Sequence, residues 1–251
     1  MKTISRMIIY VLVLLMIPTT GIAATKVWII AGQSNTMSGS PADVPGWCQN
    51  VPDNVEYWVE SDYPNFSWIS RYYNFANQQN FGPEVLLAYQ LGVNYPNDDH
   101  IVIRLSMGGT NLAEQWCRDC VYYDRLLAII DWVVGQREVT YKAFIWLQGE
   151  GDTVDVNKAV AYKDNLQDMV AGIRGHLGTT IPILIVPTDV FEVPYTYVFN
   201  VAQAQEDFCK EDEQCRIVSN SGLTRYLDNV HYTSGSQLIF GARIFYVINN
   251  F

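Results

Sequence analysis

Hydrophobic positions along the chain fall into short blocks that alternate between two periods. Lys26–Ala31, His100–Ser106, Tyr141–Leu147, Ile181–Pro187 and Cys215–Asn220 are brief runs dense in Val, Ile, Leu and aromatic residues. Runs of that length, apolar at odd and even positions alike, read as strands covered on both faces. The segments between them carry helical spacing instead. Pro83–Leu91 opens with proline at a first-turn position. Tyr122–Val134 places Leu126, Ile129, Ile130 and Val133 on one face, and Val156–Leu177 is a long amphipathic stretch that stops before Gly178. Tyr197–Phe208 and Ser234–Ile248 complete the set. Strand–helix alternation predicts an α/β protein with a central parallel five-stranded sheet and helices on both faces. Sites in such sheets lie beyond the carboxyl ends of the strands.

Two stretches break the rhythm. Met7 to Ile17 is an apolar run preceded by Lys2 and Arg6 and followed by the small residues of Gly21-Ile22-Ala23. At eleven residues it falls short of the roughly 20 that span a bilayer, and it has the order of a cleaved signal peptide covering residues 1–24. No cysteine follows closely enough for lipid attachment. Residues 25–251 are then one domain, bound for a secreted or periplasmic location, with no membrane association after cleavage. The second break is Gly39 to Asn80, a long irregular excursion rich in Pro, Asn and Asp that carries Trp47, Trp58, Trp68, Tyr72 and Tyr73. Excursions of that length are functional or form a cap.

Composition narrows the partners. Removing Lys2 and Arg6 takes the formal net charge from −10 to −12. So acidic a chain repels nucleic acid and anionic membrane surfaces, and no basic cluster offsets this. Five cysteines, Cys48, Cys117, Cys120, Cys209 and Cys215, all follow the leader, and secretion permits disulfides. Cys209 and Cys215 form the favoured pair, and Cys48 is a candidate partner for Cys117 or Cys120, which leaves one thiol over. Cys117-Arg118-Asp119-Cys120 lacks the second Cys or His pair that zinc requires, so neither a metal nor a cofactor is expected.

The chemistry sits where strands end. Gly32-Gln33-Ser34-Asn35 directly follows the first strand, and Asp228-Asn229-Val230-His231 precedes the last helix. A strand-end serine needs a base, and the base needs an acid to orient it. A spacing of three lets one turn bring the Asp228 carboxylate to the His231 ring. His100, set among Asn97, Asp98 and Asp99, reads as a solvated turn, and His176 lies at a helix C-terminus, where a cation is favourable. Ser106-Met107-Gly108-Gly109-Thr110 follows the second strand, and its glycines can free an N–H for an oxyanion. Gln148-Gly149-Glu150-Gly151-Asp152 follows the third, where the Gln148 amide is a candidate donor to the same oxyanion.

Gly-Gln-Ser-Asn, Gly-Gly-Thr, Gln-Gly-Glu-x-Asp and Asp-x-x-His, in this order, resemble the SGNH hydrolase superfamily, and its sialate O-acetylesterase and acetylxylan-esterase-like branch in particular. Gly82-Pro83-Glu84 also matches a motif of that branch. The resemblance covers essentially the whole chain after the leader. It implies a flavodoxin-like three-layer α/β/α sandwich and removal of O-acetyl groups from carbohydrates. It assigns Ser34 as nucleophile and His231 as base. The oxyanion donors would be the Ser34 N–H, Gly109 or Gly108, and Gln148. Asp228 matches the acid of the last block, with Glu150 a competing partner for the histidine. Two positions depart from the pattern: Thr36 is inserted before Met37, and Gly151 stands where the branch has Ser.

The expected activity is that of a serine esterase acting on an acetylated sugar through an acyl-enzyme. A longer-chain lipase or esterase of the same superfamily, and a non-catalytic sugar-binding protein on the same scaffold, are the competing functions. Sialate would require an arginine for its carboxylate, with Arg71, Arg104, Arg118 and Arg225 available; acetylated xylan would require an open aromatic groove, which the Gly39–Asn80 segment could line. Oligomeric state is not legible in the sequence.

Overall fold

The computed structural model describes residues 24–60 and 69–251. The proposed signal peptide, apart from its last residue, and Trp68 therefore lie outside the described residues. Each expected strand and helix is present, with ends shifted by a few residues. The strands are β1 (Thr25–Gly32), β2 (Val55–Glu60), β3 (Ile69–Tyr72), β4 (His100–Ser106), β5 (Val139–Leu147), β6 (Ile183–Ile185) and β7 (Cys215–Ile217). The helices are α1 (Glu84–Asn94), α2 (Val121–Val134), α3 (Val156–Leu177), α4 (Val198–Glu211) and α5 (Ser234–Asn249). They build one sheet in the order β3-β2-β4-β1-β5-β6-β7.

The sheet has seven strands rather than the expected five because the Gly39–Asn80 excursion is only partly irregular. Its β2 adds to β4 in parallel, and β3 folds back antiparallel on β2. Val55, Tyr57 and Val59 are buried while Glu56, Trp58 and Glu60 are only half-buried. That alternation is the mark of an outer strand covered on one side, and it hides among the aromatics of the sequence. Trp58 instead packs edge-on against Trp132, with 5.5 Å between ring centroids.

Alternate residues of β1 feed two separate cores. Val27, Ile29 and Ala31 pack with Trp116, Leu126, Ile130, Tyr162, Leu166 and Phe208 beneath α2, α3 and α4. Trp28 and Ile30 face Val85, Leu91, Phe240 and Ile244 beneath α1 and α5. The result is the three-layer sandwich, in which strands buried on both faces read as unbroken apolar runs.

This division also decides the disulfides. Cys209 pairs with Cys215 as expected. Cys117 pairs with Cys120, and Cys48 is a free, buried thiol. Cys48 packs in the α1/α5 core, whereas Cys117 follows Trp116 of the opposite core. The sheet stands between them, so neither proposed partner of Cys48 is within reach. His100 is likewise not a solvated turn. It opens β4, is 1% exposed, and its Nδ1 accepts a 3.2 Å hydrogen bond from Trp28 Nε1.

What positions the site is the register at the sheet centre. Gly32, the last residue of β1, lies opposite Ser106 of β4 and Leu147 of β5. Three neighbouring strands end flush. The residues that follow them, Gln33-Ser34, Met107-Gly108-Gly109 and Gln148 to Asp152, must therefore share one rim.

Candidate active site

Ser34 leaves β1 in a short 3-10 turn, Ser34–Thr36, whose hydrogen bonds run from Thr36 N to Gln33 O and from Met37 N to Ser34 O. The inserted Thr36 is fully buried. Its Oγ1 donates to Gln33 O at 2.6 Å and shares a hydrogen bond with Ser106 Oγ. It thereby stitches the serine turn to the end of β4. Behind it lies Glu84 of the Gly82-Pro83-Glu84 motif, entirely buried, whose Oε1 accepts from Arg104 Nη1 at 2.7 Å, Tyr57 Oη at 2.8 Å and Gly82 N at 2.9 Å. The guanidinium and two further donors offset part of the cost of burying this carboxylate, whose Oε2 has no partner among the described residues.

Residues 225–232 approach from the other end of the chain as a narrow loop closed by a bridge between Arg225 and Tyr232. Asn229 at its tip adopts a positive φ of 57°, a conformation asparagine tolerates well. Asp228 Oδ1 accepts from the backbone N–H groups of Val230 and His231, both at 2.9 Å, and its Oδ2 meets His231 Nδ1 at 2.7 Å. His231 Nε2 lies 2.9 Å from Ser34 Oγ. Burial works upward on the Asp228 carboxyl, but the His231 backbone N–H, the His231 ring and the Val230 N–H outweigh it and hold it at about 2. An ionised carboxylate only accepts, so Nδ1 carries the proton and Nε2 is left to accept from the serine hydroxyl.

The loop is anchored underneath. Arg225 lies over the Tyr232 ring and donates to the Tyr232 hydroxyl at 2.8 Å; both residues also bond Asp189 Oδ1. Asn35, 2% exposed, clamps the two chain ends together. Its Nδ2 donates to Glu150 Oε1 at 2.7 Å and to Val230 O at 3.2 Å, and its Oδ1 accepts from Tyr232 N at 3.1 Å.

Glu150 therefore serves Asn35, and no hydrogen bond joins it to His231. Its burial, 5% exposed, raises the carboxyl above the ordinary range. Of the two acids left open by the sequence, Asp228 is the one in contact with the histidine.

Gly108 and Ser34 face the same space: a Cβ built on Gly108 would lie 3.7 Å from Ser34 Cβ and 3.4 Å from Met37 Cε. Gly109 takes a φ of +70°, which admits glycine most readily. Among the described residues the N–H groups of Ser34, Gly108 and Gly109 have no partner.

Gln148 is placed differently from its expectation. Its Nε2 bonds Asp152 Oδ2 at 2.7 Å, Gln33 Oε1 at 3.2 Å and Thr110 O at 3.2 Å, and its Oε1 accepts from Tyr162 Oη at 3.0 Å. Both amide protons are taken, so the side chain does not present a donor to the serine. The sequence located this polar group at a strand end but carried no information on which way the amide turns. The side chain that sequence reasoning missed is Gln33. Its Oε1 is fixed by Gln148 Nε2 and by Gly151 N, each at 3.2 Å, while its Nε2 has no partner among the described residues. Its position beside Ser34 was the available signal. Gly151 has its own cause: a Cβ there would sit 2.1 Å from Thr110 O, so this chain's close loop contact excludes the serine usual at that position. Asp152 holds that same loop by accepting from Leu112 N at 2.7 Å and Ala113 N at 3.1 Å. Among the described residues no cluster of His, Cys, Asp and Glu is arranged to hold a metal ion.

Comparison with known proteins bears on the family and the fold. A probable carbohydrate esterase of Arabidopsis thaliana is 26% identical over 164 residues, 64% of this chain; the match spans 60% of that protein's length. The X-ray structure of an Arabidopsis thaliana protein superposes with a TM-score of 0.73, at 19% identity, over 90% of this chain and 98% of the other. A carbohydrate acetylesterase from Xanthomonas citri gives 0.66 at 17% identity over 87% and 55% of the two chains, and NanS gives 0.65 at 14% over 91% and 98%. These structural likenesses establish the fold. The family described as carbohydrate esterase, sialic acid-specific acetylesterase, matches residues 24–249, and the chain belongs to it.

Proposed function

We propose that the protein is a secreted serine esterase that removes O-acetyl groups from carbohydrates through an acyl-enzyme. The observation that carries this reading is the continuous line from Asp228 through His231 to Ser34, at 2.7 Å and 2.9 Å, beside N–H groups without partners. His231 Nε2 takes the Ser34 proton as Oγ attacks the ester carbonyl, and Asp228 balances the imidazolium that forms. The oxyanion is met by the N–H groups of Ser34 and of Gly108 or Gly109. In place of Gln148, the Gln33 amino group is the third donor, kept in orientation by the two bonds to its oxygen. The imidazolium protonates the leaving sugar oxygen, and His231 then activates a water that releases acetate.

Membership of the carbohydrate esterase family supports the substrate class. Two disulfides, and the charged-then-apolar order of the first 24 residues, support an oxidising compartment. No helix among the described residues is long and apolar enough to cross a membrane. The test is acetate release from a panel of acetylated glycans, with Ser34→Ala as control. The native chain should release acetate and Ser34→Ala should fall to near background. Equal release by both proteins would refute the assignment.

A further inference from the structure

The loop after β6 and the Asp228–His231 loop together border an open depression of about 370 Å³, lined by Asp189, Phe191, Glu192, Leu223, Arg225 and Asn229. It is continuous with the catalytic loop, since Asn229 belongs to both. Phe191 in its lining is 63% exposed and meets Phe199 of α4, 75% exposed, with ring centroids 5.1 Å apart; Leu227, the neighbour of Asp228, is fully exposed. Exposed aromatic rings grouped beside a catalytic loop and rimmed by polar side chains mark a ligand surface. Among the described residues Asp189 has only Oδ1 engaged, by Arg225 and Tyr232, which leaves Oδ2 as an acceptor.

The charges select the ligand. Each arginine available for an acidic sugar is already paired: Arg71 with Glu56 at 3.6 Å, Arg104 with Glu84 at 2.7 Å, Arg118 with Asp168 at 3.5 Å, and Arg225 with Asp189. Asp189 and Glu192 in the lining, with Asp228 on the adjoining loop, outnumber the one cation there, Arg225, so this side of the site is negative, as is the whole chain, at −10. A carboxylated sugar or an anionic membrane would be repelled. A neutral sugar ring offers an apolar C–H face to a phenyl ring and hydroxyl donors to Asp189 and Glu192.

Resting on the esterase reading above, we infer that the substrate is a neutral, O-acetylated oligosaccharide, and that the sugar units next to the acetylated one lie along Phe191 and Phe199. The test compares the native chain, Phe191→Ala, Phe191→Tyr and Phe191→Ala/Phe199→Ala. Substrates are p-nitrophenyl acetate, mixed O-acetylated xylo- and manno-oligosaccharides, and O-acetylated free sialic acid. Phe191→Ala should lower kcat/KM on the oligosaccharides about tenfold, through KM, as expected for loss of one aromatic contact. It should leave p-nitrophenyl acetate within about twofold, and Phe191→Tyr should restore the oligosaccharide value. Preference for the sialic acid, an equal loss on p-nitrophenyl acetate and the oligosaccharides, or no loss on the oligosaccharides would overturn the inference. So would a native dimer that Phe191→Ala/Phe199→Ala converts to monomer, because the ledge would then be a subunit contact. Absence of p-nitrophenyl acetate turnover by the native chain would instead sink the esterase reading. Calorimetric titration of Ser34→Ala with the same oligosaccharides tests the ledge without turnover: Phe191→Ala in that background should weaken binding about tenfold, and unchanged binding refutes it.

Discussion

Asp228 and Glu150 offer the sharpest test of the catalytic line, because sequence alone allows either to orient His231. Asp228→Asn keeps the size of the side chain but removes the charge that holds a proton on His231 Nδ1. The 2.7 Å contact is a charge-assisted hydrogen bond, and such bonds contribute about 1.5–3 kcal/mol. The Asp228 side chain is 47% exposed, so water takes over part of that role and the loss should stay below the ~10⁴-fold seen for a buried triad acid. About 2–3 kcal/mol corresponds to a fall of roughly 30- to 150-fold in kcat. Glu150→Gln retains an oxygen for Asn35 Nδ2 and removes a buried charge. Its kcat should change by less than about fivefold, since the bond to Asn35 survives. Because burial raises the Glu150 carboxyl, the folded state disfavours its ionised form. Its contribution to stability therefore declines as pH rises through its titration range, and Glu150→Gln should melt no lower than the native chain at pH 8. Steady-state rates on p-nitrophenyl acetate and thermal melts of both variants decide the matter. A larger fall in kcat for Glu150→Gln than for Asp228→Asn would refute the reasoning.

Other expectations follow from single contacts. Asn35→Ala strands a buried carboxylate and the Tyr232 N–H, and should lower stability in a denaturant melt by about 3–5 kcal/mol; a loss under 1 kcal/mol would show that the clamp is unimportant. Gln33→Ala should cost on the order of 10²–10³ in kcat as an oxyanion donor, with KM nearly unchanged, whereas unchanged turnover would remove Gln33 from the mechanism. Asp228 sits at about 2 against an ordinary 3.8, so its stabilising effect is present above about pH 4 and lost as pH falls toward 2. The stability gap between the native chain and Asp228→Asn should therefore narrow between pH 5 and pH 2.5, and a widening gap would contradict the shift. Gly151→Ser should destabilise by about 1–3 kcal/mol, as overpacking does, because the new Cβ meets Thr110 O.

By itself the sequence determined the layered α/β architecture, since apolar runs covered on both faces, alternating with 3.6-residue patterns, have few other solutions. It also singled out Ser34 and His231 as candidates, with Asp228 and Glu150 both open as the acid, because a strand-end serine and an Asp-x-x-His turn are local features. Tertiary structure decided whatever depended on direction or distance. The two outer strands were obscured because a one-sided strand at the edge of an aromatic, proline-rich segment has a weak signal. The cysteine pairing depended on which face of the sheet each cysteine occupies, and Cys48 lies on the far side. The hydrogen-bond partners of Gln33, Gln148 and Glu150 depended on how buried amides and a carboxyl turn to satisfy one another. Buried polar groups must find partners wherever the packing offers them, and no spacing along the chain records which partner that is.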